Sequence, residues 1–302
     1  MPDPFEALRT APTPIDPEPA FAARLRARLV RALQPSDQGE PSMTLQEPQT
    51  AEQLRQGDMS YVSLWVSDLQ RASRFYSDVL GWHYATPAQP FAQLVEGQSM
   101  SLGLGDLEAS ASFIRSQGVP LPETMHPTAY VVFVVHDLEA AVERVRSAGG
   151  AASDPKDQPY GRLSACVDDQ GLAFSLHEVP TGMPAPRPPT NGGRQGDVAY
   201  LTFYVPDSAR ARAFYEAVLG YRFEPGRTPG GWELRDVAPM SGMMGGAPRP
   251  TIVPMWRVDD INAAVERVRA AGGTASEPTH QGYGIAAVCT DDQDMPFNLG
   301  QL

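Results

Sequence analysis

Lysine is almost missing from this sequence: of its 24 basic residues only Lys156 is a lysine, and the rest are arginines. Acids outnumber bases, which leaves a formal net charge of −12 over 302 residues. Such a surface repels phosphate backbones, so no nucleic-acid partner is expected. Cysteine is equally scarce. Cys166 and Cys289 are the two present, too few for a disulfide framework or a thiolate metal site, and each reads as a small buried hydrophobe. No apolar run approaches the roughly 18–20 residues that span a bilayer. The start, Met1-Pro2-Asp3-Pro4, lacks the apolar core of a secretory signal. A cytoplasmic protein with no membrane partner is expected. Catalytic-triad words, phosphate-cradling glycine loops with a lysine, and nucleotide fingerprints are also missing.

What is present falls into an arm and two repeats. Residues 1–57 are rich in scattered proline, with one helical segment near 18–33. Asp16 caps it, Pro17 suits its first turn, and Phe21, Leu25, Leu29 and Leu33 make an apolar stripe among arginines. That stripe is expected to dock on the body or on a protein partner. The body then repeats. Residues 138–150 (LEAAVERVRSAGG) return as 261–273 (INAAVERVRAAGG), an offset of 123 that also carries Cys166 onto Cys289 and Asp168-Asp169-Gln170 onto Asp291-Asp292-Gln293. Upstream, Asp68, Phe75-Tyr76 and Leu80-Gly81 return as Asp207, Phe214-Tyr215 and Leu219-Gly220 at an offset of 139, so the first copy holds 16 extra residues between its two helices. A period this long means domain duplication. The boundaries are 58–180 and 196–302, joined by a proline- and glycine-rich linker over 181–195.

Each copy halves again. A β-rich run such as Tyr61–Val66 or Tyr130–Val135 leads to a capping Asp, and then to an amphipathic helix stopped by glycine. Helices are predicted over 69–80, 138–148, 208–219 and 261–271. Strand, helix and several short strands thus occur four times, an α+β plan of four βαβββ modules.

These words, in this order and twice over, resemble the vicinal oxygen chelate superfamily, which includes glyoxalases, bleomycin-resistance proteins and extradiol dioxygenases. The resemblance covers about 58–302 and suggests a tandem bacterial member. It implies that paired modules curl into two β-cups with a ligand inside each. It also implies where a divalent metal would be held: at the residue seven before each cap Asp and on the last strand of each module. Here those positions are Tyr61, Tyr130, Tyr200 and Val253, then Ser175 and Asn298, with the remaining pair near Ser101 and Met243. They do not make a plausible metal cage, so no metal and no cofactor are expected.

Alternation from those positions selects the residues expected to face each cup. In the first these include Tyr61, Ser63, Trp65, Tyr130, Ser175 and His177. In the second they include Tyr200, Thr202, Tyr204, Met255, Arg257 and Asn298, with Trp232 and the methionines 240, 243 and 244 as an apolar wall. His177 or a cup tyrosine is the candidate for acid–base catalysis; the competing reading makes His177 structural. Three functions remain open on the sequence. The first is metal-independent binding of a small aromatic or hydrophobic molecule. The second is a lyase, isomerase or dioxygenase with an atypical or absent metal site. The third is a regulator docking a partner through its arm.

Overall fold

Four aspartates start the repeated helices. Asp68 and Asp207 each accept bonds from two first-turn amides, and Asp137 and Asp260 from one. Gly81 and Gly220, both at φ 75°, supply the left-handed stop that a side chain would resist. The resulting helices are α1 (Leu69–Leu80), α3 (Leu138–Ser147), α4 (Ser208–Leu219) and α5 (Ile261–Ala270). They lie where the periodicity predicts them, to within a residue. A further helix, α2 (Leu107–Ser116), was not predicted. It is formed by the extra residues of the first copy. The computed structural model describes residues 52–86 and 91–302, so the arm helix expected near 18–33 lies outside the described residues.

In the first domain the strands are β1 (Met59–Val66), β2 (His83–Tyr84), β3 (Ala92–Glu96), β4 (Ser101–Asp106), β5 (Thr128–Val134), β6 (Ala151–Ala152), β7 (Lys156–Gln158), β8 (Gly161–Val167) and β9 (Ala173–Glu178). Their order is β2-β3-β4-β1-β5-β9-β8-β6, with β7 on β8. The antiparallel β1–β5 pair is the seam between modules, and the parallel β1–β4 and β5–β9 pairs close each module. The second domain repeats this with β10 (Val198–Tyr204), β11 (Phe223–Pro225), β12 (Gly231–Leu234), β13 (Ser241–Met244), β14 (Thr251–Arg257), β15 (Thr274–Ala275), β16 (Thr279–Gln281), β17 (Gly284–Thr290) and β18 (Pro296–Gln301). None of the helices among the described residues is long and apolar enough to cross a membrane.

Alternation gives each sheet two unlike faces. Val62, Leu64 and Val66 are buried under α1, whereas Tyr61, Ser63 and Trp65 point into the cup. The convex faces and helices of both domains belong to one apolar core, which includes Phe75, Phe133, Phe174, Phe203, Trp256 and Phe297. The domains therefore pack back to back, with the cups facing away from each other.

The contacts across this core come in reciprocal pairs. The repeated Asp-Asp-Gln docks on the helix start of the opposite domain. Gln293 both accepts from Asp68 N and donates to Asp68 O, and Gln170 does the same to Asp207. Asp292 pairs with Arg71, and Asp169 with Arg210. Buried Asp291 accepts from the Tyr76 hydroxyl and Asp168 from that of Tyr215, both at 3.2 Å. At the strand starts, Trp82 Nε1 donates to Gly196 O (3.0 Å) and the Tyr221 hydroxyl to Gly57 O (2.5 Å). A Cβ on either glycine would sit 2.7 Å from the facing ring. The adjoining Asp58 and Asp197 reach across to the Ala238 and Ser99 amides. Asp58 is also gripped by the Arg187 fork, which fastens the interdomain linker to the body.

Burial, opposed in part by bonds from the Leu172 and Gln170 amides, pushes Asp168 up to about 6. A carboxyl raised on folding adds stability that is complete below the ordinary range near ~4 and is lost as the pH climbs through about 6. Asp168→Asn removes that loss. Its melting temperature relative to the parent, measured by scanning calorimetry at about pH 4.5 and about pH 7.5, is expected to shift in the variant's favour at the higher pH.

Candidate functional site

The two cups begin from the same scaffold and differ in what covers them. Between β4 and β5 the first domain carries residues 107–127, where the second has only 245–250 between β13 and β14. The longer segment folds as α2 because Asp106 caps it by accepting from the Ala109 amide, and because Leu107, Ala111 and Ile114 share one face. That face lies down in the first cup. Leu107, Ile114 and Val119 cluster there with Trp65, Tyr130, Val132 and Ala165. Trp65 and Tyr130 stack at 4.5 Å and are 4% and 7% exposed. The insertion thus covers the part of the first cup around Trp65 and Tyr130, while Leu94, on the same concave face opposite Gly103, stays 55% exposed.

The polar residues expected to meet a ligand there are consumed internally. The Tyr130 and Ser175 hydroxyls bond each other at 2.5 Å, and burial holds the Tyr130 phenol well above its ordinary range. Tyr61 also has its phenol raised by burial, and its hydroxyl lies over Gly103, where no side chain larger than hydrogen fits. Ser63 is buried beside it. His177 donates from Nε2 to Tyr160 O (3.1 Å), while its Nδ1 faces the Ser60 hydroxyl at 3.0 Å. Burial lowers its pKa, so the neutral ring is favoured. Both nitrogens thus have partners within the domain.

The second cup has no such plug. Tyr200, Thr202 and Tyr204 line β10 on the concave side, opposite Met255, Val253 and Thr251 of β14. Asn298 stands beside Met255, and Arg257 beside Gly300. Val288, across from Asn298, is 68% exposed, and Tyr283 in the β16–β17 turn is 47% exposed. None of Tyr200, Tyr204 and Tyr283 stacks on another ring among the described residues, in contrast to the Trp65–Tyr130 pair. Arg257 forms no ion pair among the described residues, neither with nearby Asp259 nor with any other carboxylate. Burial first, then the Glu233 carboxylate and the phenols of Tyr283 and Tyr204, push Tyr200 up to about 12. Burial raises Tyr283 while the guanidinium of Arg227 opposes it.

Two expected members of this wall point the other way. Trp232 pairs with Met243 in register, and both belong to the convex side. Met243 is in the core, and Trp232 lies under Arg212 of α4, whose guanidinium carbon is 3.5 Å from the ring centroid. The residue β12 does turn into the cup is Glu233, one position on, opposite Gly242. The sequence reading missed Glu233, Tyr283 and Arg227. Strand parity from Gly242 would have found Glu233, whereas Tyr283 and Arg227 come from turns that alternation does not reach.

The donor sets do not fit a divalent ion. In the first cup the implied positions hold two phenols kept protonated by burial, with a serine bonded to one of them. In the second, Tyr200 lies across Gly242, which takes the concave place assigned to Met243, and Val253 and Asn298 complete the set. Among the described residues no three His, Cys, Asp or Glu side chains converge. A groove of about 800 Å³ lies outside both cups, between residues 53–54, 134–136 and 178–185. Its charged members Arg162 and Glu178 already pair with each other, and no Phe, Tyr or Trp lines it.

Residues 58–176 match the Glyoxalase/Bleomycin resistance protein/Dioxygenase superfamily model, and residues 200–300 match a glyoxalase-like domain model. "Putative glyoxylase CFP32" of Mycobacterium tuberculosis is 28% identical over 258 residues, covering 82% of this chain and 95% of that protein. "Anthracycline biosynthesis protein DnrV" of Streptomyces peucetius is 28% identical over 130 residues, 43% of this chain and 44% of the relative. Among solved structures, the Mn(II)-bound glyoxalase of Novosphingobium aromaticivorans superposes with a TM-score of 0.60 at 15% identity over 82% of each chain. The 2,3-dioxygenase LapB of Pseudomonas sp. KL28 gives 0.55 at 13%, covering 81% of this chain and 92% of that one. At these identities the structural likeness concerns the fold.

Ile114→Ala, in the plug of the first cup, is expected to cost about 2–4 kcal/mol in urea unfolding through the cavity it leaves. Because the two concave faces lie on opposite sides of the shared core, this variant should leave ligand binding at the second cup unchanged.

Proposed function

Since this chain belongs to the glyoxalase/bleomycin resistance protein/dioxygenase superfamily, as two domains in tandem, we propose that it binds a small planar aromatic or hydrophobic molecule in its second cup, without a metal ion. The observation that carries this reading is the contrast between the two concave faces. In one, α2 covers a stacked Trp65–Tyr130 pair, and in the other Tyr200 and Tyr204 have no ring stacked on them among the described residues. An open apolar concavity with a few polar groups is the usual form of an organic ligand site. One relative is named for anthracycline biosynthesis, which points to the same class of ring compound. Arg257, without an ionic partner, orients a carbonyl or anionic substituent at its end of the cup. The phenols, the amide and the apolar residues at the metal positions favour binding by shape and stacking over chelation.

Native mass spectrometry of the full chain, with a thermal-shift screen of planar aromatic compounds, tests the reading. A ligand-dependent rise in melting temperature without stoichiometric divalent metal is expected; stoichiometric metal would overturn it. Tyr204→Ala should abolish the rise. Arg257→Ala should weaken binding of a carboxylate-bearing compound by roughly 2–3 kcal/mol with little change in stability. Trp65→Ala should lower stability by about 3–5 kcal/mol and leave the ligand response in place. Loss of the response in Trp65→Ala alone would move the site to the first cup.

A further inference from the structure

The second cup contains a charge that its apolar character does not account for. Glu233 sits on the concave face of β12, opposite Gly242. Tyr200 lies over that same glycine, its hydroxyl 2.0 Å from where a Cβ would stand, so the carboxylate and the phenol occupy one corner of the cup. Glu233 is half-buried and has neither a hydrogen bond nor an ion pair among the described residues. The equivalent place in the first cup holds an uncharged residue, Leu94, opposite Gly103. A carboxylate turned into an aromatic-lined hollow and left unpaired loses hydration without compensation.

We propose that Glu233, with Tyr200 and Tyr204, forms a subsite for a protonated amine carried by the aromatic ligand. This rests on the second cup being the ligand site and adds the sign of the charge recognised there. Tyrosine faces attract organic cations through their ring quadrupole, and a carboxylate beside them supplies a charge-assisted hydrogen bond. Arg227 lies at the rim, with Nη1 3.0 Å from the Cβ position of Gly282 and its guanidinium acting on Tyr283, and Arg257 lies at the far end of β14. The field of Glu233 already reaches Tyr200, where it opposes loss of the phenolic proton. The net charge of −12 favours arrival of a cation.

Fluorescence titration of the full chain with three planar tricyclic probes separates this proposal from the one beneath it. The probes are proflavine (a cation), hydroxymethylanthracene (neutral) and anthracene carboxylate (an anion). Proflavine is expected to bind more tightly than the neutral probe. Glu233→Gln, which keeps size and polarity, should weaken proflavine about tenfold or more while changing the neutral probe less than about twofold. Tyr204→Ala should weaken both. If none of the probes binds the parent protein, the second cup is not an aromatic site and both readings fall. If the probes bind but Glu233→Gln treats cation and neutral alike, the site stands and the amine subsite is wrong.

Discussion

Everything in this molecule leans on the Asp-Asp-Gln turn of each domain docking onto the helix start of the other. Three consecutive residues do three different jobs there. The glutamine completes hydrogen bonds at the cap backbone, the second aspartate holds an arginine in the first helical turn, and the first aspartate takes a buried tyrosine hydroxyl. The surface ion pair contributes little by itself. The buried bonds matter more, because an unpaired phenol or carboxylate at that depth is costly. With the motif used twice, the helices of both domains are set against one core, and the concave faces are left to look outward.

This arrangement frees the cups to diverge. The convex side is bound by reciprocal contacts, so a change there disturbs both domains. The concave cluster of the first cup packs within its own domain. The insertion between β4 and β5 uses that freedom. It supplies an amphipathic helix where a ligand would sit, and the aromatic pair beneath it becomes ordinary core. The second cup keeps its tyrosines apart, and among the described residues Glu233 and Arg257 form no ion pair.

Much of the fold was legible because its signals are local. Asp caps, glycine stops and 3.6-residue periodicity mark four helices, and internal repetition marks the duplication. The 16 extra residues were visible as a change of offset, but their place and their helix were not, since an amphipathic pattern alone does not say which hollow it covers. Strand parity placed Tyr200, Tyr204 and Arg257 correctly and identified the members of the first cup, yet it could not tell an open cup from a sealed one. Trp232 and Met243 were assigned by hydrophobicity instead of by register, and register turns both to the convex side. The same one-residue step hid Glu233. The Asp-Asp-Gln motif was read as a mark of the family, and its role across the interface needed the third dimension.

The short loop at residues 245–250 carries a practical consequence for protein engineering. It occupies the point in the second copy where the first copy sends out α2, and both strands flanking it align with their counterparts in the other domain. The molecule thus contains both a closed and an open version of one vessel, together with the stopper for it. Transplanting residues 107–127 into that loop would cork the second hollow with a part already fitted to the first, and removing them from the first would uncork it.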